Sequence, residues 1–413
     1  MPLSLLKYGL RNRHVSFNDI PPTPELKPSY DVVILGGGGH GLAAAYYLSH
    51  VHGIRDVAVL EKGYLAGGNT ARNTTVVRSN YMTEPSVRFY KEAVKLYETM
   101  SEDLGFNIMF SQRGQLTLAH SEATLRSFHL RAEMGKHMGT RIEVVDPKTV
   151  AEICPLLNLD MGGQHEVLGG LWHEDGGTAR HDAVAWGYAK RAAERGVEIH
   201  QRTEVTGFEK NGNRVTHVKT NRGKIAAGQV LQAAGGLNGH VAGLAGIRLP
   251  IRCFPLQAMV TQPLKPFLDT LISSANLHTY ILQSSRGELV IGGGSDPYQL
   301  ASTRSTLDQK EHLAEGALHL FPFLHKVKLL RQWAGITDMT PDYSPVMGAS
   351  PLENYWLDCG WGTWGFKATP VAGKYMAETV ARGRVSDILK PFDLQRFEKF
   401  ELLNEMGATA ASH

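Results

Sequence analysis

An α/β protein carrying an inserted, mainly antiparallel α+β domain is the fold this sequence predicts, and three observations carry it. A short apolar strand at 31–35 runs into the glycines of 36–41, an Ala-rich helical stretch at 42–52 follows, and a second apolar strand occupies 56–60. Strand, tight turn, helix and strand make a βαβ unit, and runs that are apolar throughout belong to a parallel sheet covered on both faces. The middle of the chain holds further strand signals, at 257–261 and 288–291, while its end returns to a strand at 355–358 and a long helix at 370–382. One domain built from both ends of the chain, with a second inserted between them, accounts for that order.

The remaining elements follow in sequence. Residues 85–139 are mostly helical, with a strand-like break at 114–118, and 182–195 form an amphipathic helix. Strands are expected at 197–208, 215–220 and 228–234, and a helix at 307–319. The nucleotide-type domain is drawn over 30–110, 168–247 and 334–390, and the inserted substrate domain over 111–167 and 248–333. A Pro-punctuated N-terminal arm, 1–29, is either mobile or pinned to a partner, and 391–413 is a C-terminal tail. His50 and His52 are expected to supply positive charge at the end of the first helix.

Composition excludes several classes. Of 413 residues, 42% are hydrophobic and 20% charged, which is neither a disordered nor a fibrous composition. A net charge of +3 is too small at this length to mark a nucleic-acid or membrane surface. Apolar runs fall short of the ~20 residues that span a bilayer, and 1–29 has no continuous apolar core of the secretory kind. Three dispersed cysteines, Cys154, Cys253 and Cys359, form no CxxC, so a disulfide framework and a zinc ribbon are excluded and a cytoplasmic location is expected.

The glycine turn reads Gly36-Gly-Gly38-Gly39-His40-Gly41 and fits GxGxxG between a strand and a helix. Gly36 permits the tight turn, Gly38 lets backbone approach a pyrophosphate at the positive end of the helix, and Gly41 allows close helix–strand packing. Glu61, followed by Lys62, ends the second strand, where a carboxylate accepts hydrogen bonds from a ribose. The motif alone leaves NAD and FAD open.

Other segments decide between them. The polar loop Gly67-Gly-Asn69-Thr70-Ala-Arg72-Asn73-Thr74, the turn Ala233-Ala234-Gly235-Gly236, and Pro341-Asp342-Tyr-Ser-Pro345-Val-Met-Gly348 precede a Gly-rich loop, 358–365, that opens the last helix. In these the chain resembles the D-amino acid oxidase superfamily of FAD-dependent amine oxidoreductases. Over about 30–380 it resembles the β subunits of the heterotetrameric sarcosine oxidases, most specifically in 172–182 and 362–370.

The resemblance implies a Rossmann-like FAD domain and noncovalent FAD on the glycine turn, Glu61, Lys62, Asn69, Thr70, Arg72, Asn73, Val205, Ala234, Gly235, Gly362, Thr363, Gly365, Phe366 and Lys367. A helix N-terminus beside the ring would stabilise negative charge on the reduced flavin. Arg78 and Lys367 align with the cations that hold the substrate carboxylate, a guanidinium fork and a point charge. Tyr280 is either a pocket wall or an ordinary core or surface tyrosine. His173 matches the histidine that carries covalent FMN. The implied reaction is oxidation of sarcosine to glycine, with electrons passing from FAD to FMN and then to O2, giving H2O2. The implied partners are α, γ and δ subunits, the α subunit binding NAD and receiving the one-carbon unit on tetrahydrofolate. Near 286–291 the chain lacks the lysine that assists oxygen in the monomeric sarcosine oxidases, which argues against direct oxygen chemistry at FAD. His173, Glu174, Asp175, His181 and Asp182 do not have metal-ligand spacing, so no metal is expected. The rival readings are a stand-alone FAD enzyme on another secondary amine such as dimethylglycine or proline, a nonenzymatic electron-relay subunit, and an NAD dehydrogenase.

Overall fold

The computed structural model describes residues 23–160, 163 and 165–405; positions 1–22 of the N-terminal arm and 406–413 of the tail lie outside the described residues. Among these residues, one eight-stranded sheet is built around Ser29–Leu35. That strand is parallel to Val57–Leu60 on one side and to Gly223–Gln232 on the other. The sheet extends through Glu198–His200 beyond the former and through Tyr355–Cys359 beside the latter. Successive side chains of the first strand enter different cores. Val32 and Ile34 pack with the helices Gly39–His50, Glu84–Leu104, His181–Glu194 and Gly365–Arg382, while Val33 and Leu35 pack with Val230, Val241 and Leu357. Burial on both faces is why the strand reads as an unbroken apolar run.

The second eight-stranded sheet runs in the order Leu329–Met339, Arg252–Pro263, Glu288–Ser295, Thr279–Gln283, Leu271–Ser274, Gln115–Ala119, Gly169–His173, Ile142–Val145. It is antiparallel except where Leu271–Ser274 meets Gln115–Ala119. Helix Leu307–Leu320 covers it through Leu313, Ala317 and Leu320.

Two expected domain boundaries cut through this sheet. Gly169–His173 is laddered to Gln115–Ala119 and Ile142–Val145, so it belongs to the inserted sheet, not to a segment beginning at 168. Leu329–Met339 pairs with Arg252–Pro263 from Leu329 to Met339 and passes through 334 without a break. In each case the backbone ladder carries the strand with the inserted sheet and across the expected boundary.

Local corrections have local causes. The stretch 197–208 is two strands, Glu198–His200 and Val205–Asn211, separated at Arg202, whose φ is 53°. The last helix starts at Gly365, five residues before Pro370. A proline there leaves the Phe366 carbonyl without its helical donor; the Tyr97 hydroxyl donates to it at 2.7 Å instead. His50 does not supply helix-end charge. Its Nε2 meets the Arg191 carbonyl at 2.9 Å, and burial holds the ring below the ordinary histidine range.

The C-terminal stretch is packed as far as it is described. Short 3-10 turns at Asp387–Phe392 and Leu394–Phe397 bring Arg396 against Asp342. The guanidinium donates Nε to Oδ2 at 2.8 Å and Nη2 to Oδ1 at 2.9 Å, with both side chains almost fully buried. Burial pushes the Asp342 carboxyl up, but Arg396 outweighs it and holds the group below the usual carboxylate range. Removing one partner of such a pair strands a buried charge, at a cost of about 3–5 kcal/mol. Arg396→Met is therefore expected to lower unfolding stability by about that much in a denaturant titration, and the double variant with Asp342→Asn is expected to recover part of the loss.

Candidate active site

A cavity of about 640 Å³ lies where the two sheets meet. Every cofactor or substrate residue expected from the sequence lines it except Gly41 and His173. The floor is the glycine turn. Gly36 has φ +121°, and a Cβ there would stand 2.3 Å from the Ala233 carbonyl oxygen. A Cβ on Gly41 would stand 2.1 Å from the carbonyl oxygen of Gly36, so Gly41 works behind the cavity by letting helix and strand close. The N-cap of helix Gly39–His50 is Gly38, which brings no capping side chain. Thr70 Oγ accepts the Gly39 N–H at 2.9 Å. Glu61 accepts from Gly37 N–H at 2.9 Å and Gly63 N–H at 2.7 Å, and its carboxylate has acceptor capacity left for ribose hydroxyls.

The polar loop is tied across the interface between the sheets. Asn69 exchanges both hydrogen bonds with the backbone of Ile336, in the second sheet. Arg72 donates to the carbonyls of Gly67 and Gly68. Asn73 holds the loop's own backbone at Thr70 and Thr75. Lys62 sits at the rim, paired with Glu204 at 2.7 Å, and Val205, Ala234 and Gly235 complete that end.

At the opposite end, Gly362, Thr363, Gly365 and Phe366 line the cavity at the start of the last helix. A residue that sequence reading missed holds this loop. Asp338, buried at the end of a second-sheet strand, accepts N–H from Gly360 at 2.8 Å, Trp361 at 3.1 Å and Gly362 at 3.3 Å, and from Asn238 Nδ2 at 2.9 Å. Burial pushes its carboxyl up to about 6 in spite of these donors.

His40 joins the two loops. Its Nε2 lies 2.7 Å from the Gly365 carbonyl, and its Nδ1 lies 3.1 Å from each carboxylate oxygen of Asp358. Both ring nitrogens face acceptors, which is the arrangement of an imidazolium. Burial pulls the ring's pKa down, but Asp358 and the Gly365 carbonyl outweigh it, and the net direction is upward.

The cations stand between the sheets. Arg78, 7% exposed, donates to Asn80 Oδ1 at 2.8 Å and lies 4.5 Å above the Tyr81 ring. Lys367 donates to the Thr363 carbonyl at 3.3 Å, and burial followed by the charge of Arg78 holds its ammonium well below the ordinary lysine value. Tyr280 faces the cavity with its hydroxyl 2.8 Å from that of Thr74, and burial pushes its phenol up to about 12. Arg131, also missed from sequence, lines the same cavity and donates Nε to the Asn80 carbonyl at 3.0 Å. Burial, then the charge of Arg78, lowers it to about 9.

His173 departs from the expected cofactor contact. It lies in Gly169–His173, fully buried and off the cavity wall. Its Nδ1 lies 3.1 Å from the Arg141 carbonyl, and its Nε2 accepts the Ser79 N–H at 3.2 Å. Burial takes its pKa to about 4, so the ring is neutral. Of its neighbours in sequence, Glu174 and Asp175 pair with Arg141, and Asp182 pairs with Arg180.

The cavity fits a flavin adenine dinucleotide on its own chemistry. It offers a helix start whose N-cap glycine brings no side chain, a carboxylate at the ribose position, and a second helix start at the far end. These define a flavin-dependent oxidoreductase, and the family described as FAD dependent oxidoreductase matches residues 31–379. The chain is 45% identical over 391 residues to sarcosine oxidase subunit beta of Rhodobacter capsulatus, covering 95% of this chain and 94% of that one. It is 46% identical over 390 residues to the protein of the same name from an Arthrobacter species, covering 94% and 96%. Among solved structures, L-proline dehydrogenase from P. horikoshii superimposes with a TM-score of 0.85 at 29% identity, over 91% of this chain and 100% of that one. The chain belongs to the sarcosine oxidase β-subunit family within the FAD-dependent oxidoreductases. No helix among the described residues is long and apolar enough to cross a membrane.

The His40 geometry gives a pH prediction. A histidine whose pKa is raised by the fold contributes stability that is complete below its ordinary value of 6.5 and is lost as pH rises through the raised value. Unfolding stability, followed by denaturant titration between about pH 6 and about pH 9, is expected to lose the His40 contribution on the alkaline side, and His40→Gln is expected to remove that contribution.

Proposed function

We propose that this chain oxidises sarcosine as the β subunit of a multisubunit enzyme, and that the pairing of Arg78 with Lys367 inside the FAD cavity is the observation that carries the reading. A guanidinium and a lysine that line one cavity form a site for a carboxylate, which both cations attract. Arg78 binds and orients that carboxylate; Tyr81 beneath the guanidinium and Asn80 beside it limit its rotation. With the carboxylate fixed, the N-methyl group is directed along the cavity past Thr74 and Tyr280. FAD, when bound, supplies the acceptor for the hydride equivalents of the N-methyl C–H bond. The chain's part is orientation and charge.

The fuller scheme adds FMN on His173, oxygen as the final acceptor with release of H2O2, and α, γ and δ subunits, the α subunit carrying NAD and the folate that takes the one-carbon unit. The neutral imidazole supports attachment at His173, because only an unprotonated nitrogen attacks a flavin methyl group. The closed ring opposes it: with Nε2 taken by Ser79 and no exposed surface, a flavin does not fit at His173 in this conformation, and no step is routed through it here.

Arg78→Met is expected to raise the sarcosine concentration needed for half-maximal flavin reduction by about 100-fold, the loss of a charge-assisted pair, with FAD content retained. An unchanged value removes Arg78 from the site. Reduction of the wild type by proline and not by sarcosine moves the reading to a secondary-amine dehydrogenase. Intact mass of the denatured chain, isolated with its partners, tests the second flavin. The closed ring predicts a bare chain, and a gain of one FMN on the His173 peptide means that the ring opens in the assembled enzyme.

A further inference from the structure

Arg78 takes its position from the segment 78–83, and that segment is held by the far end of the chain. Glu405 is fully buried. Its carboxylate accepts N–H from Met82 at 2.9 Å and from Thr83 at 2.7 Å, and the Thr83 hydroxyl also donates to it. The strap that delivers Glu405 is anchored at Asp342, which accepts from Arg396, from Leu403 N–H at 3.1 Å and, at its backbone carbonyl, from Glu405 N–H at 3.2 Å. Immediately before Met82, the Tyr81 ring stacks on Tyr90 at 3.9 Å, meets Trp364 edge-on at 4.8 Å, and carries the Arg78 guanidinium on its face. Trp364 in turn precedes the helix that bears Lys367.

We propose that Glu405 is a positioning residue for the substrate carboxylate: by fixing the backbone of Met82 and Thr83 it sets Tyr81 between Tyr90 and Trp364, and through Tyr81 it sets the aim of Arg78. The proposal rests on the reading that Arg78 receives the substrate carboxylate. A carboxylate at the start of Glu84–Leu104 also stabilises that helix as any anionic cap does. Capping alone changes stability; positioning changes which ligands the cavity prefers.

The test compares sarcosine with its amide, N-methylglycinamide, which keeps the amine and lacks the negative charge. Anaerobic flavin reduction is followed in the enzyme isolated with its partners, giving an apparent Kd and a limiting rate for each compound. Glu405→Gln is expected to raise the apparent Kd for sarcosine about tenfold, to leave that for the amide and the limiting rate within about twofold, and to retain FAD. Equal weakening of both compounds, or a lower melting temperature with sarcosine affinity unchanged, overturns the proposal. Should Glu405→Gln fail to fold, Thr83→Val removes one of the three hydrogen bonds to the same carboxylate, and it is expected to shift the sarcosine-to-amide preference in the same direction by a smaller factor. A wild type that sarcosine does not reduce overturns the functional reading and this proposal together; a wild type that is reduced, with neither variant altering the preference, overturns this proposal alone.

Discussion

One buried carboxylate joins the parts of this molecule. Asp338 ends a strand of the second sheet, yet its oxygens collect amides from Gly360, Trp361 and Gly362, which belong to the loop after the last strand of the first sheet, and the side chain of Asn238. A carboxylate out of water needs donors, and here the donors come from elements that otherwise have no reason to meet. Satisfying Asp338 therefore fixes the angle between the sheets and the path of the Gly-rich loop. Cavity width follows from it, as does the placement of the helix that presents Lys367.

His40 repeats the device on a smaller scale. The glycine turn and the Gly-rich loop are more than three hundred residues apart in sequence, and a single imidazole bridges Asp358 and the Gly365 carbonyl from the turn. The Asn69 side chain does the same between the polar loop and the strand Leu329–Met339. Each bridge ties a loop to a strand or helix, which is how a site built on loops attains the precision that orientation of a small substrate requires.

Sequence legibility followed chain proximity. The glycine turn, Glu61, the polar loop and the 358–370 segment are contiguous motifs in which residue types answer local demands, and each contributes residues to the cavity wall. Asp338, Arg131 and Glu405 were not legible, because each acts on partners distant in the sequence and none sits in a periodic or spaced pattern. The boundary at 334 failed for the same reason: a strand's allegiance is decided by its ladder, and the partner of Leu329–Met339 lies about eighty residues earlier in the chain. The helix start at Gly365 was hidden by Pro370, since nothing near the proline reveals that a hydroxyl from residue 97 satisfies the freed carbonyl. His173 came from resemblance alone, and its buried ring shows how little a histidine's neighbours in sequence say about its exposure.

The pairing of the first strand has a consequence for biosynthesis. Val32 is hydrogen-bonded in register with Gln229, and Val230 in turn with Tyr355, so the sheet under the glycine turn cannot be completed by a nascent chain whose second half is still unmade. Contacts of such separation form late and slowly. Until residues 223–232 are made, the βαβ unit exposes an apolar strand edge with no neighbour to cover it. The sheet gains its further neighbour only when 355–359 follows, so the interval between the two syntheses is when the exposed edge is most open to aggregation.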